Sequence, residues 1–516
     1  MISYRSTRSD GASVFFPQTV LAGLASDGGL FVPERLPVIS PEWLDACRDL
    51  GYQEIAARVL GLFETDLSEE VIRQCVRDAY GNAWDHESIA PVVALDAQTS
   101  VLELWHGPTC AFKDLALQLM PRLFVQANRL SSSGSEQQLR HLIIVATSGD
   151  TGKAALAGYQ DVEGVDISVY FPSQGVSPIQ ELAMRTQEGS NVLIKGMQGD
   201  FDTVQSAIKS VFSDQVFASY LRDRYQVQLS SANSINWGRL LPQIVYYVSG
   251  YIDLIEQRGL HIGDQVDVVV PSGNFGNLLA AYLAKRMGMP LGRLVCASNQ
   301  NNVLTKFLLT GLYDIRTRSL ARTCSPSMDI LIASNIERLL WFVCSDPARV
   351  ASWMAQLKAT GCFQIDARTM QTIQQDFSAY WTDDAGALDL IKTTWNDHDY
   401  MVDPHTAVAL SVADQYRLQY RSSRPLLIAS TAHWAKFPGA VLKAIDEQSM
   451  RGFVEGQDEF AMLKRIEELT DVLTPERIRK LSDLPVRFAS TVRADVLELK
   501  HGVEYYLGAR YGKRGQ

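Results

Sequence analysis

Four short apolar runs, each ending in polar residues, constrain the fold of this chain more than any other feature. The runs are HLIIVAT (141–147), VDISVYFP (165–172), VDVVVPS (266–272) and PLLIASTA (425–432). Runs rich in β-branched residues that lead into turns and amphipathic segments are typical of βα units, whose strands pair in parallel. We therefore predict an α/β fold with parallel sheets and a ligand site at the carboxyl ends of the strands.

The chain has 516 residues, which is too long for one ordinary domain. Residues 1–95 carry apolar residues at helical spacing, which predicts a mainly helical N-terminal unit. Residues 96–450 contain the apolar runs and form the predicted α/β core, with a mainly helical insert at about 303–400. Residues 451–516 are charge-rich and amphipathic, which predicts a C-terminal helical extension.

Charge and cysteine content argue against several classes of function. The formal net charge of −10 gives no positive field for a nucleic-acid backbone, so we expect no nucleic-acid partner. The seven cysteines are scattered singly, without the spacing of a disulfide or zinc framework. We find neither a secretory signal pattern nor an apolar run of ~20 residues, so no membrane partner is expected. These features predict a soluble cytoplasmic protein with reduced thiols and no metal site.

The segment PSGNFGNLLAAYLAKRMG (271–288) places a turn rich in glycine and asparagine between a buried strand and a helix. Gly273 and Gly276 let the backbone approach a ligand closely, and the start of a helix offers free N–H groups. These properties indicate a phosphate cradle. They are equally compatible with a tight βα turn without a ligand, and the segment does not match the GxGxxG dinucleotide fingerprint.

The segment ATSGDTGKAALAGY (146–159) repeats this design. Its GDTGK differs from the phosphate loop of nucleotide hydrolases, because Thr147 and Ala154 stand where that loop needs glycine and a hydroxyl residue. Ser148, Thr151 and the amides of the turn instead indicate a loop for the carboxylate or phosphate of a small substrate.

Lys113, in HGPTCAFKDLALQLMPRLF (106–124), opens an apolar helix next to Phe112. A lysine at such a position is usually a solvated surface residue. A partly desolvated lysine, however, has a depressed pKa and becomes an amine nucleophile for Schiff-base chemistry. Two anion-binding turns nearby in the predicted sheet favour the second interpretation.

Seven motifs occur in the order found in threonine synthases, so the chain resembles that family over roughly residues 1–450. They are AFKDLAL, TSGDTG, SANSINWGR, PSGNFGN, SPSMDI, DPHTAV and STAHWAKF. The resemblance implies a fold-type II enzyme, similar to the tryptophan synthase β chain, with two interleaved sheet domains in the core. It also implies the cofactor pyridoxal 5'-phosphate, and a reaction that converts O-phosphohomoserine and water to threonine and phosphate.

The same resemblance assigns roles to individual residues. Lys113 is implied to form the Schiff base with the cofactor and to carry protons during the reaction. Thr431 is implied to face the pyridine nitrogen of the cofactor. The backbone amides implied to hold the cofactor phosphate are those of Gly273, Asn274, Phe275, Gly276 and Asn277.

Two positions depart from the pattern of the family. Trp434 stands where many relatives have proline. Asp150 stands where many fold-type II enzymes have an asparagine against the phenolic oxygen of the cofactor, which a carboxylate would repel. We therefore expect Asn233 or Asn236 to contact that oxygen, and Asp150 to orient the amides of its loop.

An enzyme that prefers O-phosphohomoserine over homoserine needs a second anion site for the substrate phosphate. Lys153 and Arg239 are the candidates, because both follow polar turns at the predicted ligand edge. Each could instead pair with a surface carboxylate. Two other functions stay open, a dehydratase-type lyase acting on serine or threonine and a catalytically silent binding protein. The expected state of assembly is a monomer or a homodimer.

Overall fold

The computed structural model describes residues 1–132, 139–173, 176–199, 201–454 and 456–512. The strands in these residues are β1 (Tyr4–Ser6), β2 (Phe31–Pro33), β3 (Val92–Ala94), β4 (Thr99–Glu103), β5 (Arg140–Ala146), β6 (Val165–Pro172), β7 (Val192–Gln198), β8 (Val227–Ser230), β9 (Val266–Pro271), β10 (Leu291–Ser298), β11 (Leu312–Asp314), β12 (Cys362–Gln364), β13 (Phe377–Trp381), β14 (Leu426–Ser430) and β15 (Thr491–Arg493).

The α-helices of the same residues are α1 (Phe16–Ala22), α2 (Pro41–Asp45), α3 (Tyr52–Leu62), α4 (Glu69–Ala79), α5 (Lys113–Leu117), α6 (Met120–Ser132), α7 (Asp150–Tyr159), α8 (Pro178–Arg185), α9 (Phe201–Ser213), α10 (Gln215–Tyr225), α11 (Trp237–Leu240), α12 (Pro242–Gln257), α13 (Gly276–Met287), α14 (Val303–Thr310), α15 (Ile336–Cys344), α16 (Pro347–Thr360), α17 (Ala367–Asp376), α18 (Asp384–His398), α19 (Pro404–Tyr420), α20 (Pro438–Ile445), α21 (Glu447–Met450), α22 (Glu459–Thr470), α23 (Glu476–Arg479) and α24 (Val496–Tyr511). Short 3-10 turns occur at Pro326–Met328, Trp434–Lys436 and Lys480–Asp483.

Two sheets organise the core. The larger sheet has six strands in the order β13-β10-β9-β14-β4-β3, parallel except for the antiparallel pair of β3 and β4. The smaller sheet has five parallel strands in the order β15-β7-β6-β5-β8. All four apolar runs form strands, so the predicted α/β fold with parallel sheets is confirmed.

The chain passes between the two sheets three times. It forms β3 and β4 of the larger sheet, then β5 to β8 of the smaller sheet, and returns to the larger sheet with β9, β10, β13 and β14. Strands β11 and β12 form a separate antiparallel pair. The last strand, β15, joins the smaller sheet again. The strands of the two sheets are therefore interleaved along the chain.

The helices cover the faces of both sheets. Helix α19 packs against β9, β10, β13 and β14, while α12 packs against α13 and the N-terminal helix α3. Helix α24 packs against α9, and its Leu499, Val503 and Leu507 are fully buried in the core of the smaller sheet. We find no helix in the described ranges with the length and apolar character needed to span a bilayer.

The outer segments differ in detail from a purely helical organisation. The N-terminal unit contains the antiparallel pair β1 and β2 beside its four helices. The segment predicted as an insert contributes β13 to the larger sheet, and the C-terminal extension contributes β15 to the smaller one. These strands are only three to five residues long, so their alternating pattern is too short to be read from sequence. Residues 455 and 513–516 of the extension lie outside the described residues.

Candidate active site

The candidate site lies where loops from the two sheets meet. The backbone N–H of Phe112 donates to the carbonyl of Thr431 at 2.9 Å, which joins the loop before α5 to the end of β14. The ammonium group of Lys113 donates to Oδ2 of Asp150 at 3.0 Å, which joins the same loop to the start of α7. The hydroxyl of Ser327 donates to this oxygen as well, at 3.1 Å. Four separate parts of the sequence therefore meet around one buried lysine.

The side chain of Lys113 is 11% exposed and lies over the ring of Phe112, with 4.9 Å from Nζ to the ring centroid. Burial lowers the pKa of its ammonium group, and the nearby charge of Lys436 adds to this effect. The carboxylate of Asp150 opposes the shift without reversing it. Lys113 thus has the environment of a reactive amine. The more common alternative, a solvated surface lysine, does not fit its surroundings.

The backbone before Lys113 is fixed by hydrogen bonds. The carboxylate of Asp114 accepts from the backbone N–H and the hydroxyl of Thr109, both at 2.7 Å. Gly107 lies so close to Asp114 that a Cβ at Gly107 would be 2.5 Å from the Asp114 Cβ. A side chain at position 107 would therefore displace the loop that carries Lys113.

Arg477 of the C-terminal extension holds the same loop from outside. Its guanidinium donates to the carbonyl of His106 at 3.2 Å and to the carbonyl of Gly107. It also donates to Oδ2 of Asp85, in the N-terminal unit, at 2.9 Å. One arginine thus connects the two outer segments to the loop of the candidate nucleophile.

Asp150 accepts four side-chain donors. Lys113 and Ser327 donate to Oδ2, Gln180 donates to Oδ1 at 2.9 Å, and Lys436 forms an ion pair with Oδ1. Burial alone would raise the pKa of this carboxyl, but the two ammonium groups hold it well below its usual range. Asp150 therefore contacts side chains of other loops, where the sequence had suggested that it orients the amides of its own loop.

The loop at residues 271–277 forms an open cradle of backbone amides. Phe275 has a φ of 63°, and a Cβ at Gly273 would lie 2.7 Å from the carbonyl oxygen of Ser327. Within the described residues, no backbone N–H from Gly273 to Asn277 donates a hydrogen bond to another protein group. Free amides at the start of a helix that is twelve residues long fit a phosphate group.

The turn of this cradle is fixed by contacts with other parts of the chain. Oδ1 of Asn277 accepts from the hydroxyl of Tyr246 at 2.8 Å and from that of Tyr247. The carbonyl of Asn274 accepts from the backbone N–H of Asn335 at 3.2 Å, which fixes the turn from the other side. The cradle therefore offers its backbone N–H groups to a ligand, together with Nδ2 of Asn277, which is buried and has no partner among the described residues.

The loop at 147–153 has a similar construction. Oγ1 of Thr147 accepts from the N–H groups of Gly149 at 3.0 Å and Gly152 at 2.8 Å. Gly149 has a φ of 143°, which a residue with a Cβ rarely adopts. Among the described residues, the N–H groups of Ser148 and Thr151 have no acceptor, and the side chain of Ser148 is exposed.

Lys153 and Arg239 are positive groups near this loop with no carboxylate within ion-pair distance in the described part of the chain. Nζ of Lys153 donates to Oε1 of Gln187 at 2.6 Å, and burial lowers the pKa of Lys153 to about 8. Arg239 is 6% exposed and donates to the hydroxyl of Thr151 at 3.4 Å, and burial lowers its pKa to about 10. Neither forms the surface ion pair that was the alternative interpretation.

The two candidate asparagines have different surroundings. Oδ1 of Asn236 accepts from the N–H of Gly238 at 2.9 Å, and Nδ2 donates to the carbonyl of Val20 at 2.8 Å. Both ends of this fully buried amide are thus used for capping α11 and for packing against α1. The side chain of Asn233 has no hydrogen-bond partner among the described residues, so it is the one available to a ligand.

Thr431 follows β14, and its hydroxyl makes no hydrogen bond within the described ranges. The following turn carries Trp434, which is buried in the core that contains α19 and α20. The same turn ends at Lys436, whose ammonium group donates to the carbonyl of Thr109 at 3.0 Å as well as pairing with Asp150. Lys436 belongs to the motif STAHWAKF, so the sequence could have marked it as a site residue. The sequence gave no indication that it pairs with Asp150.

Comparisons with known proteins identify the family. Residues 3–80 match the family model for the threonine synthase N terminus, and residues 91–431 match that of the pyridoxal-phosphate dependent enzymes. Residues 406–503 match the model for the C-terminal part of threonine synthase.

Individual relatives agree with these matches. Threonine synthase of Saccharomyces cerevisiae is 34% identical over 97% of both chains. Threonine synthase-like 1 of Pongo abelii is 44% identical over 84% of this chain, which spans 58% of the length of that relative. A crystal structure of pyridoxal-phosphate-bound threonine synthase from Brucella melitensis is 35% identical, covers 98% of this chain and 99% of its own, and superposes with a TM-score of 0.85. This chain therefore belongs to the threonine synthase family of pyridoxal-phosphate dependent enzymes.

Proposed function

We propose that this protein uses pyridoxal 5'-phosphate to convert O-phosphohomoserine and water to threonine and phosphate. The observation that carries the proposal is the presence of two different anion sites beside one buried lysine. The amides of residues 273–277 suit a cofactor phosphate, and the cations Lys153 and Arg239 suit a second phosphate on the substrate. A substrate without a phosphate would leave those two cations, which have only neutral partners, without a counter-ion.

The residues around Lys113 fit the cofactor. Its amine would anchor the cofactor, the free amides of residues 273–277 would hold the phosphate, and the free hydroxyl of Thr431 would be the group for the ring nitrogen. When bound, the cofactor supplies an electron sink for the carbanion at the substrate Cα. A threonine hydroxyl stabilises a protonated ring less than a carboxylate would, so protein groups must share in stabilising that charge.

Lys113 also acts as the acid and base. Its amine, once released by substrate, takes the proton from Cα and moves protons at Cβ and Cγ as phosphate leaves. Water then adds at Cβ and gives up one proton to Lys113, and Lys113 returns a proton to Cα to complete threonine. Its lowered pKa supports this role, because a proton carrier works best when its pKa is near the working pH.

The loop at 147–153 binds the other groups of the substrate. The N–H groups of Ser148 and Thr151 receive the carboxylate, while Lys153 and the planar guanidinium of Arg239 receive the phosphate. The unpartnered carboxamide of Asn233 contacts the phenolic oxygen of the cofactor. Both ends of the Asn236 amide already have protein partners, which favours Asn233 over Asn236 in this role.

Incubation with O-phosphohomoserine tests the proposal. The purified protein should release phosphate and form threonine in equal amounts, and its visible absorption spectrum should change when substrate is added. Keto acid and ammonia would instead identify a dehydratase-type lyase. Absence of both products, with an unchanged spectrum, would identify a catalytically silent binding protein.

Two further proposals concern the compartment of the protein and its oligomeric state. All seven cysteines are unpaired thiols in the structure, which supports the expected cytoplasmic location. The expected monomer or homodimer stays a prediction, which light scattering of the purified protein would test. Cell fractionation with an antibody would test the compartment.

A further inference from the structure

One carboxylate, that of Asp150, contacts the side-chain nitrogens of two lysines at the centre of the site. Asp150 contacts Lys113 through Oδ2 and Lys436 through Oδ1. The side chains of Asp150 and Lys436 are 3% and 6% exposed, so water screens these charges poorly. Gln180 and Ser327 donate to the two oxygens as well, but both are neutral.

The charges of this cluster do not sum to zero when both lysines are protonated. Lys436 alone neutralises Asp150, and its second contact, with the carbonyl of Thr109, keeps its ammonium group in place. A protonated Lys113 then adds an uncompensated positive charge in a buried site, which is costly. The neutral amine of Lys113 removes that cost.

We propose that Lys436 keeps the amine of Lys113 neutral by occupying the Asp150 carboxylate, and so prepares Lys113 to react with the cofactor. Lys436 is then a positioning residue that acts through Asp150, without contact to the reacting atoms. The neutral amine of Lys113 attacks the aldehyde carbon, a C–N bond forms, and the aldehyde oxygen leaves as water with the two amine protons. A protonated Lys113 has no free electron pair for this step.

The other charged groups near Lys113 act in the same direction or lie further away. Arg239, on α11, lowers the pKa of Lys113 and makes no ion pair in the described part of the chain. Asp114, on the same helix as Lys113, directs its carboxylate to Thr109. His405, on α19, is separated from Asp150 by Ser327, whose backbone N–H it accepts at 3.1 Å.

The test measures how fast full-length protein, freed of cofactor, forms its covalent linkage with added pyridoxal phosphate at a series of pH values. The rate should rise with pH through the pKa of Lys113. In Lys436→Met the carboxylate turns to Lys113 alone, so the midpoint should rise by about one pH unit, a tenfold loss of rate at low pH. Lys436→Arg keeps the charge and should stay near the parent.

In Asp150→Asn the pH midpoint of cofactor linkage should shift in the opposite direction. Without the carboxylate, Lys436 repels a protonated Lys113, so the midpoint should fall below that of the parent. The double variant Asp150→Asn with Lys436→Met should lie nearer to the parent than either single variant, because both charges are removed together. If Lys436→Met does not fold, Lys436→Gln replaces it, and the same rise of the midpoint is expected.

Two results would overturn the inference. One is a midpoint in Lys436→Met that equals the parent or falls below it, since a merely structural lysine would change the rate at all pH values alike. The other is a midpoint in Asp150→Asn that rises. The inference rests on the proposed function only for the identity of the cofactor, and linkage can be followed by absorbance even if no threonine is formed. Failure of the proposed reaction and failure of this inference are therefore separate outcomes.

Discussion

The two glycine-rich turns of this protein begin helices in the same way but are equipped differently. The turn before α13 offers only uncharged amide groups, and no lysine or arginine in the described residues donates to it. The turn at the start of α7 has Lys153 and Arg239 beside it, both with pKa values lowered by burial. The first suits a phosphate that stays bound, and the second suits one that arrives with substrate and leaves.

The difference has a physical basis. Amides that remain free lose little when no ligand is present, because they are neutral dipoles. Buried cations without a counter-ion are costly, and this cost is relieved when an anion binds. With the proposed roles, the second site should discriminate strongly in favour of a charged substrate, while the first should hold a ligand by many weak contacts and by a covalent bond.

Loss of the covalent bond is the largest change we expect. Lys113→Ala should lower kcat by roughly 1,000-fold or more, since both the anchor and the proton carrier are lost. The cradle at residues 273–277 should still bind the cofactor, which dialysis and absorbance would measure. Turnover close to the parent, without added amine, would show that another group does this chemistry.

A side chain added at Gly273 should distinguish the cradle from the second anion site, because it should weaken the binding of cofactor. A Cβ at Gly273 would meet the backbone oxygen of Ser327 at 2.7 Å, so Gly273→Ala should distort the turn at a cost of about 1–3 kcal/mol. The Kd for cofactor should rise by roughly tenfold or more. Gly61→Ala is the control, because no atom lies within 4 Å of the added Cβ. Unchanged cofactor affinity in Gly273→Ala would mean that the cradle holds something else.

Removal of either cation should affect substrate and spare the cofactor. Lys153→Ala and Arg239→Ala should each lower kcat/KM for O-phosphohomoserine by roughly 10- to 100-fold, and inorganic phosphate should compete less well. The spectrum of the linked cofactor should not change. Lys209→Ala, an exposed lysine on α9, is the control for loss of charge alone. Parent-like kinetics in both variants would move the substrate phosphate to Ser148, Thr151 and the amides of their loop.

The smallest effect is expected at the ring nitrogen. Thr431→Ala removes one hydrogen bond of about 1 kcal/mol, so the Kd for cofactor should rise by roughly fivefold and the carbanion steps should slow. Thr431→Ser keeps the hydroxyl and should behave like the parent. Equal affinity and rate in Thr431→Ala would show that this hydroxyl does not face the ring.

The sequence predicted the four strands β5, β6, β9 and β14 and the positions of both turns, because these depend on local pattern. Each apolar run is continuous, and each turn follows a strand directly, so the ligand edge could be located without the structure. The free amides of residues 273–277 follow from the same local rule.

The contacts of Asp150 could not be predicted in this way. Its partners Ser327 and Lys113 are 177 and 37 positions away along the chain, and Lys436 is further still. Asn236 shows the opposite case. It lies at the predicted ligand edge of the sheet, but its side chain caps α11, and this helix is too short for its periodicity to show in the sequence. Which side chains share one carboxylate, and which are used in caps, is decided by tertiary packing.

The contact between Arg477 and the loop before Lys113 has a consequence for how the protein is made. The chain leaves the ribosome from its N-terminal end, and domains fold as they emerge. The arginine is 371 positions after its partner His106, so it appears long after both sheets have begun to form. A nascent chain that has passed Lys436 contains every motif of the site, yet the guanidinium that holds the carbonyls of His106 and Gly107 is still missing. The loop that carries Lys113 therefore makes these contacts only after residue 477 has been added to the growing polypeptide.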